Sequence, residues 1–156
     1  MYTLRTTQRI PISLDEAWAY FSSPGNLNEI TPDDMGFHIL GEVPEKMYQG
    51  MFINYKVTPL LGIKMDWTTE ITHVVNRSFF VDEQRVGPYK IWHHEHHFKE
   101  IEGGVEMTDI VSYALPFGWI GKLAHPLLVK RKLNSIFEFR FAAVERIFGT
   151  FKDSMA

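Results

Sequence analysis

Ile91-Trp92-His93-His94-Glu95-His96-His97-Phe98-Lys99 is the stretch whose reading decides the fold. As a strand it puts Trp92, His94, His96 and Phe98 on one side. Ile91, His93, Glu95, His97 and Lys99 fall on the other, because successive side chains alternate faces. The first set places two imidazoles between two large aromatics, which marks the buried side of a sheet. Burying polar rings costs free energy unless they find partners. The two histidines are therefore either satisfied structural residues or the polar floor of a ligand pocket.

Working outward, Glu102 to Gly104 is a hairpin-length turn, and Val105 to Ala114 reads as the next strand. The register that suits this hairpin sets His96 opposite Asp109, His94 opposite Val111 and Trp92 opposite Tyr113. On the preceding strand, residues 79–85, Asp82 then lies beside His94 and Phe80 beside His96. Phe79 and Val81 compete with that pair for the inner face, and a one-residue slip would exchange the two sets. Further back, Ile63, Met65, Trp67, Thr69 and Ile71 alternate with Lys64, Asp66, Thr68 and Glu70 in a strand spanning Ile63 to Val75. Ile53, Tyr55 and Val57 alternate in another. Pro59 to Gly62, Asn76-Arg77 and Gly87-Pro88 supply the connections.

Residues 3–12 open the chain as a half-exposed strand, with Leu4, Thr6, Gln8 and Ile10 on one face. Ser13-Leu14-Asp15-Glu16 is a capping box. Leu14, Ala17, Trp18 and Phe21 follow at helical spacing, and Pro24-Gly25 breaks that helix. Asn26 to Ile30 makes a second short one before Thr31-Pro32. At the other end, Pro126 fits the first turn of a helix running to about Phe148, with Gly149 as its stop. That helix is roughly 35 Å long at 1.5 Å per residue, enough to cross a whole sheet. Its apolar stripe is Leu133, Ile136, Phe137, Phe141, Val144, Ile147 and Phe148, with Arg140 inside it. The order is strand, two short helices, about six antiparallel strands and one long helix. This is an α+β helix-grip arrangement, a curved antiparallel sheet wrapped around a C-terminal helix, and a cavity between sheet and helix is its natural ligand site.

Composition bounds the rest. At 156 residues the expectation is a single domain over 1–156, and 45% hydrophobic content supports a globular core. A formal charge of -3 gives no general attraction to nucleic acid or anionic membranes. With Cys 0 there is no disulfide framework, thiolate nucleophile or finger-type zinc site. The start Met1-Tyr2-Thr3-Leu4-Arg5 lacks the apolar run of a signal peptide, and no stretch approaches a spanning length. The expected location is the cytoplasm.

Several motifs together resemble the START/Bet v 1-like superfamily, also called the SRPBCC or polyketide cyclase/dehydrase-like group. They are Ile10-Pro11-Ile12 leading into Trp18-Ala19-Tyr20-Phe21, Asn26-Leu27, and Ile30-Thr31-Pro32. Gly87-Pro88-Tyr89, Trp92 to Phe98, and Tyr113-Ala114-Leu115-Pro116-Phe117-Gly118 complete the set. The likeness spans essentially the whole chain and is strongest to a bacterial subgroup of small ligand-binding-type domains. It implies a fold whose members bind lipids, sterols, hormones or polyketides, a minority catalysing cyclisation or dehydration.

Four readings of the polar residues follow. In the first they are an internal network, with His96 on Asp109, His94 on Asp82 or a carbonyl, and Arg140 at the stripe edge. In the second they are the polar end of an apolar pocket. Trp67, Trp92, Tyr113 and Phe137 are then walls; His94, His96, Asp109 and Arg140 are the polar end, joined by Asp82 and Tyr55. A buried arginine keeps its charge and asks for a carboxylate or an anionic ligand. The third is general acid–base catalysis, with His94, His96 and Asp109 as candidates and Arg140 stabilising an enolate. The fourth is a metal site, since His-x-His offers two ligands on one strand face and Asp82 or Asp109 a third. Two histidines in a chain with His 7 are a common coincidence, so the expectation is no metal and no cofactor.

The leading expectation is binding of a small hydrophobic molecule carrying a polar or acidic group. The alternatives are a cofactor-independent cyclase, dehydratase or isomerase in the same cavity, and a protein-interaction module with a vestigial cavity. A homo-oligomer or an enzyme partner stays open. His93 and His97 are expected at solvent, and His38, His73 and His125 carry no motif. Lys130-Arg131-Lys132 reads as a solvated face. Phe117, Trp119 and Ile120, in the loop 116–121, are expected to form a lid at the cavity mouth.

Overall fold

Seven antiparallel strands form one curved, open sheet in the order β1-β7-β6-β5-β4-β3-β2. The strands are β1 (Tyr2–Ile10), β2 (His38–Ile39), β3 (Phe52–Val57), β4 (Met65–Val75), β5 (Phe79–Val86), β6 (Ile91–Ile101) and β7 (Gly104–Ala114). Helix α1 (Leu14–Phe21) and short 3₁₀ turns at Pro24–Ile30 and Asp33–Met35 follow β1, and helix α2 (Lys130–Phe148) closes the chain. This computed structural model describes residues 1–58, 62–116 and 128–152. The expected first turn at Pro126, the lid residues Phe117, Trp119 and Ile120, and His125 lie outside the described residues.

The register on either side of β6 follows the reading from sequence. His96 pairs with Asp109, His94 with Val111 and Trp92 with Tyr113; Asp82 pairs with His94 and Phe80 with His96. The β6–β7 turn is two residues long, and Gly103 takes the left-handed conformation there (φ 80°). A register shift between Ile71 and His73 brings Val74 inward after Ile71, so the alternation of β4 breaks before its end. On β5 both Phe80 and Val81 are buried, which is why neither alternation alone describes that strand.

Three local expectations need correction. The strand expected from Ile63 begins at Met65, and Ile63 is 58% exposed because it sits in the turn before the first rung. The second helix is a 3₁₀ turn that starts at Pro24, the residue whose fixed φ suits a first turn. Phe141 and Ile147 are not core residues: they are 43% and 37% exposed. The buried line of α2 runs through Leu133, Arg140, Ala143 and Val144, so its centre is the arginine and the two apolar residues fall at the rim.

The capping box forms as read. Ser13 Oγ accepts from the Glu16 amide at 3.2 Å, and the Glu16 carboxylate accepts from the Ser13 amide at 2.9 Å. Helix α1 thereby starts at a defined point and lays Ala17 and Phe21 into a cluster with Ile10, Phe80, Phe98, Met107 and Val144. A second cluster gathers Met51, Ile53, Tyr55, Val57, Trp67 and Ile71 on β3 and β4; a third joins Val111 and Tyr113 to Val129 and Leu133. Gln8 ties β1 to the helix, its Nε2 donating to the Phe141 carbonyl at 3.0 Å. Helix α2 comes nearest to β1 and the Pro24–Ile30 turn, so β3 and β4 face it across a gap. That gap is the cavity.

Candidate functional site

The space among the three clusters is about 170 Å³. A dry cavity of about 150 Å³ accepts a benzene-sized guest, so the volume suits one ring or a short chain. Apolar groups from every side line it, among them Phe21, Ile53, Trp67, Trp92, Leu133 and Phe137. The polar ends of two aromatics are satisfied within the wall. Thr69 Oγ1 accepts from Trp67 Nε1 at 3.0 Å and shares a hydrogen bond with the Tyr55 hydroxyl. Burial, with the Asp82 charge, pushes the Tyr55 phenol up, so it stays neutral and is no base. Tyr55 and Trp67 thus line the cavity with their polar ends paired.

Its polar patch comes from two strands and the helix. Asp82 on β5, His94 and His96 on β6, and Arg140 on α2 all line it. The imidazoles stand in a column with the flanking aromatics. The His94 and His96 ring centroids are 3.7 Å apart, Phe80 stacks on His96 at 4.2 Å, and Trp92 meets His94 edge-on at 6.1 Å. The alternation of β6 predicts this column, because every second residue of one strand shares a face.

All four ring nitrogens face a carboxylate. His94 Nε2 is 3.0 Å and His96 Nδ1 2.9 Å from Asp109 Oδ1, while His96 Nε2 is 2.8 Å and His94 Nδ1 3.4 Å from Asp82 Oδ2. The expected pairs, His96 with Asp109 and His94 with Asp82, are half of this lattice; each histidine also reaches the other aspartate. Arg140 Nη2 stands 3.5 Å from Asp109 Oδ1 and 3.4 Å from His96 Nδ1. Its Nε is buried without a hydrogen-bond partner among the described residues.

Charge follows from these contacts. Burial alone would raise the Asp109 carboxyl, but Arg140 and the hydrogen bonds from His94 and His96 hold it well below the usual carboxylate range. Burial would also raise Asp82, and the two histidines outweigh it, leaving it lowered. Burial and the neighbouring His96 push His94 down, so its ring is neutral. Burial likewise opposes a charge on His96, but hydrogen bonds to Asp109 and Asp82 prevail and raise it. His94 Nε2 hydrogen-bonds Asp109, His96 Nε2 hydrogen-bonds Asp82, and Arg140 Nη2 donates to His96 Nδ1, which serves three of the four ring nitrogens. The fourth, His94 Nδ1 against Asp82, sets acceptor against acceptor and is the longest of the carboxylate contacts.

Two expected site residues sit elsewhere. Tyr113 is buried but off the cavity, packed behind Trp92 between Tyr2 and Tyr89. Asp109 lies behind the imidazoles and lines an open cleft between β1, β7 and α2, on the far side of Phe137 and Arg140. Sequence reading missed Phe37, Met47, Tyr89 and Ile136 as lining residues. Of these only Ile136 carries a periodic signal, in the stripe of α2. Lys132, read as part of a solvated run, reaches the cavity rim and pairs with Asp34 at 2.6 Å. His93 and His97 lie on the outer face, on Glu83 at 2.9 Å and Glu95 at 2.7 Å.

No family model and no curated protein matches the chain. Solved structures do. Protein CV1439 from Chromobacterium violaceum aligns over 97% of this chain and 100% of its own at 10% identity, with a TM-score of 0.71. Ara h 8.0201, a Bet v 1 allergen, aligns over 93% and 98% at 13% identity, TM-score 0.58. A nucleoside-diphosphate sugar epimerase from Corynebacterium glutamicum aligns over 92% of this chain and 28% of its own, at 22% identity and TM-score 0.64. Likeness at these identities is likeness of fold, and with the seven-stranded sheet and its closing helix it identifies the fold of this chain as START/Bet v 1-like.

Proposed function

We propose that this protein binds a small, largely apolar molecule whose oxygen-bearing end meets Asp82, His94, His96 and Arg140. The observation that carries the reading is an apolar cavity with one polar patch, where a buried guanidinium keeps an unfilled donor. Apolar walls supply the affinity, roughly in proportion to area removed from water. The patch supplies orientation, since it offers both an acceptor in Asp82 and a donor in Arg140. The volume favours a single ring or short chain over a sterol-sized guest. The fold, shared with a Bet v 1 allergen, suits this reading, and the expected location is the cytoplasm.

Trp67 and Trp92 line the cavity, so their fluorescence reports occupancy. Cinnamyl alcohol, cinnamic acid and the hydrocarbon allylbenzene separate the contributions of ring and oxygen. Saturable quenching is expected, at least tenfold tighter for an oxygenated probe than for allylbenzene, and reduced by Arg140→Met. No saturable response to any of the three, or equal affinity for all, would overturn the proposal.

A second reading rests on His94: a neutral imidazole at the cavity whose Nδ1 carries no proton and is positioned to take one. It makes the same cavity a cofactor-independent cyclase, dehydratase or isomerase. Under it, His94→Gln abolishes turnover while fluorescence still reports binding.

A further inference from the structure

We infer that Asp82, His94 and His96 form a site for one divalent first-row transition-metal ion, with Asp109 as the outer carboxylate that orients both imidazoles. One ligand-type atom from each of the three residues lies within 4.8 Å of the others. Donors bound to one ion at about 2.0–2.2 Å stand about 3.3–3.6 Å apart at tetrahedral angles and about 2.8–3.1 Å apart at octahedral ones. The Asp82–His94 and Asp82–His96 spacings are 3.4 and 2.8 Å, one in each range.

The hydrogen-bond count points the same way. Two neutral imidazoles own two N–H groups, yet four ring nitrogens face carboxylate oxygens. His94 Nε2 hydrogen-bonds Asp109 Oδ1 at 3.0 Å, and His96 Nδ1 stands 2.9 Å from the same oxygen, so both N–H groups have an acceptor there once an ion takes the Asp82 side. With the protons there, His94 Nδ1 and His96 Nε2 turn lone pairs toward the Asp82 carboxylate. In that tautomer three acceptors converge on one place, and a cation between them satisfies all three. A single proton on His96 relieves one contact and leaves the other; an ion relieves both.

The outer residues have the form that metal-bound histidines require. Such rings nearly always give their second N–H to a carboxylate, which fixes tautomer and orientation. Here one oxygen serves both rings, and Arg140 balances its charge from 3.5 Å. Two carboxylates and one arginine leave a net single negative charge, so a divalent ion makes the centre singly positive. Three protein donors also leave coordination positions open, as in the two-histidine, one-carboxylate centres. All three donor residues line the apolar cavity, and an anionic oxygen of a guest completes the shell from there. This last step rests on the binding reading; occupancy by the ion does not.

The outer face supplies the rival site. His93, Glu95 and His97 alternate with the inner histidines on β6, and exposed histidines collect metal adventitiously. The test is a Co²⁺ titration of the chelator-stripped full chain, read by visible ligand-field absorption, with Zn²⁺ competition by calorimetry. One equivalent is expected to bind. His94→Gln, His96→Gln and Asp82→Asn each lower affinity by more than tenfold. Asp109→Asn keeps every donor atom and weakens binding 10–100-fold, while the double variant His93→Gln/His97→Gln binds as the parent does. Circular dichroism confirms that each variant is folded; Asp82, the most exposed of the three donors, gives the safest substitution. Absence of saturable binding, or loss of it only in the outer-face variant, would overturn the inference. Cinnamic acid is then titrated with and without Co²⁺. Tighter binding with the ion is expected, whereas a metal-free protein that still binds cinnamyl alcohol keeps the proposed function and loses only the ion.

Discussion

Asp109→Asn is the change with the largest effect that the cluster geometry allows without altering side-chain volume. The carboxylate is 3% exposed and one of its oxygens faces three nitrogens: His96 Nδ1 at 2.9 Å, His94 Nε2 at 3.0 Å and Arg140 Nη2 at 3.5 Å. An asparagine oxygen accepts from only part of this set, and its amide adds donors where donors already crowd. The larger loss is the charge. Arg140 is buried and its Nε already lacks a partner among the described residues, so removing the carboxylate strands a cation. Breaking a buried ion pair from one side costs about 3–5 kcal/mol. Asp82, partly open to solvent, remains to share the charge, which sets the expectation near 3 kcal/mol. For a chain of this length that is a fall in Tm of about 6–12 °C.

The assay is urea and thermal unfolding followed by circular dichroism, with Asp66→Asn as the reference. Asp66 pairs with Lys56 at the surface, where removing a partner costs at most about 1 kcal/mol. The pH arm has a definite sign. A carboxyl lowered in the folded state adds stability above its unfolded value, about 3.9, and the contribution is lost as pH falls through the folded value. Asp109→Asn should therefore flatten the acid limb of stability against pH. Adding Arg140→Met should recover part of the loss, because the stranded cation is then gone. A cost matching Asp66→Asn, with an unchanged acid limb, would refute the claim that Asp109 holds a buried charge.

His96 predicts the opposite limb. Its raised pKa adds stability that is complete below about 6.5 and lost as pH rises through the folded value, so metal-free His96→Gln should be flatter above neutrality; an identical alkaline slope would refute the charged ring. Thr69→Val deletes the oxygen that serves both Tyr55 and Trp67, leaving buried polar groups unpaired at about 1–3 kcal/mol, read by chemical denaturation. A Cβ on Gly104 would lie 2.1 Å from the Ile10 carbonyl oxygen, where β1 meets β7, whereas one on Gly25 meets nothing within 4 Å. Gly104→Ala should cost at least about 1–3 kcal/mol and Gly25→Ala no more than about 0.5 kcal/mol; equal costs would contradict the β1–β7 contact.

The resemblance to a known superfamily and the strict alternation along β6 were both readable from the residues, and they agree. Alternation is a local property of the backbone, so Trp92, His94, His96 and Phe98 share a face wherever the strand lies. Short turns at 76–78 and 102–103 then limit the registers available, and Asp109 and Asp82 fall beside the histidines as pairing partners. The capping box of α1 was legible for the same reason, since its two hydrogen bonds span three residues.

What the sequence could not decide lies between elements. Alternation says that Tyr113 and Asp109 face inward, but not which inward residues meet empty space; packing of α2 and Tyr89 puts Tyr113 behind the wall and Asp109 behind the rings. Periodicity places Phe141 and Arg140 in one stripe, yet the rotation of α2 against β1, held by the Gln8 hydrogen bond, buries the arginine and leaves the phenylalanine at the rim. The four-contact lattice likewise depends on ring orientation, which no strand pattern encodes. A strand pattern fixes which face a side chain leaves from; only the packed interior fixes which atom it offers, and to what.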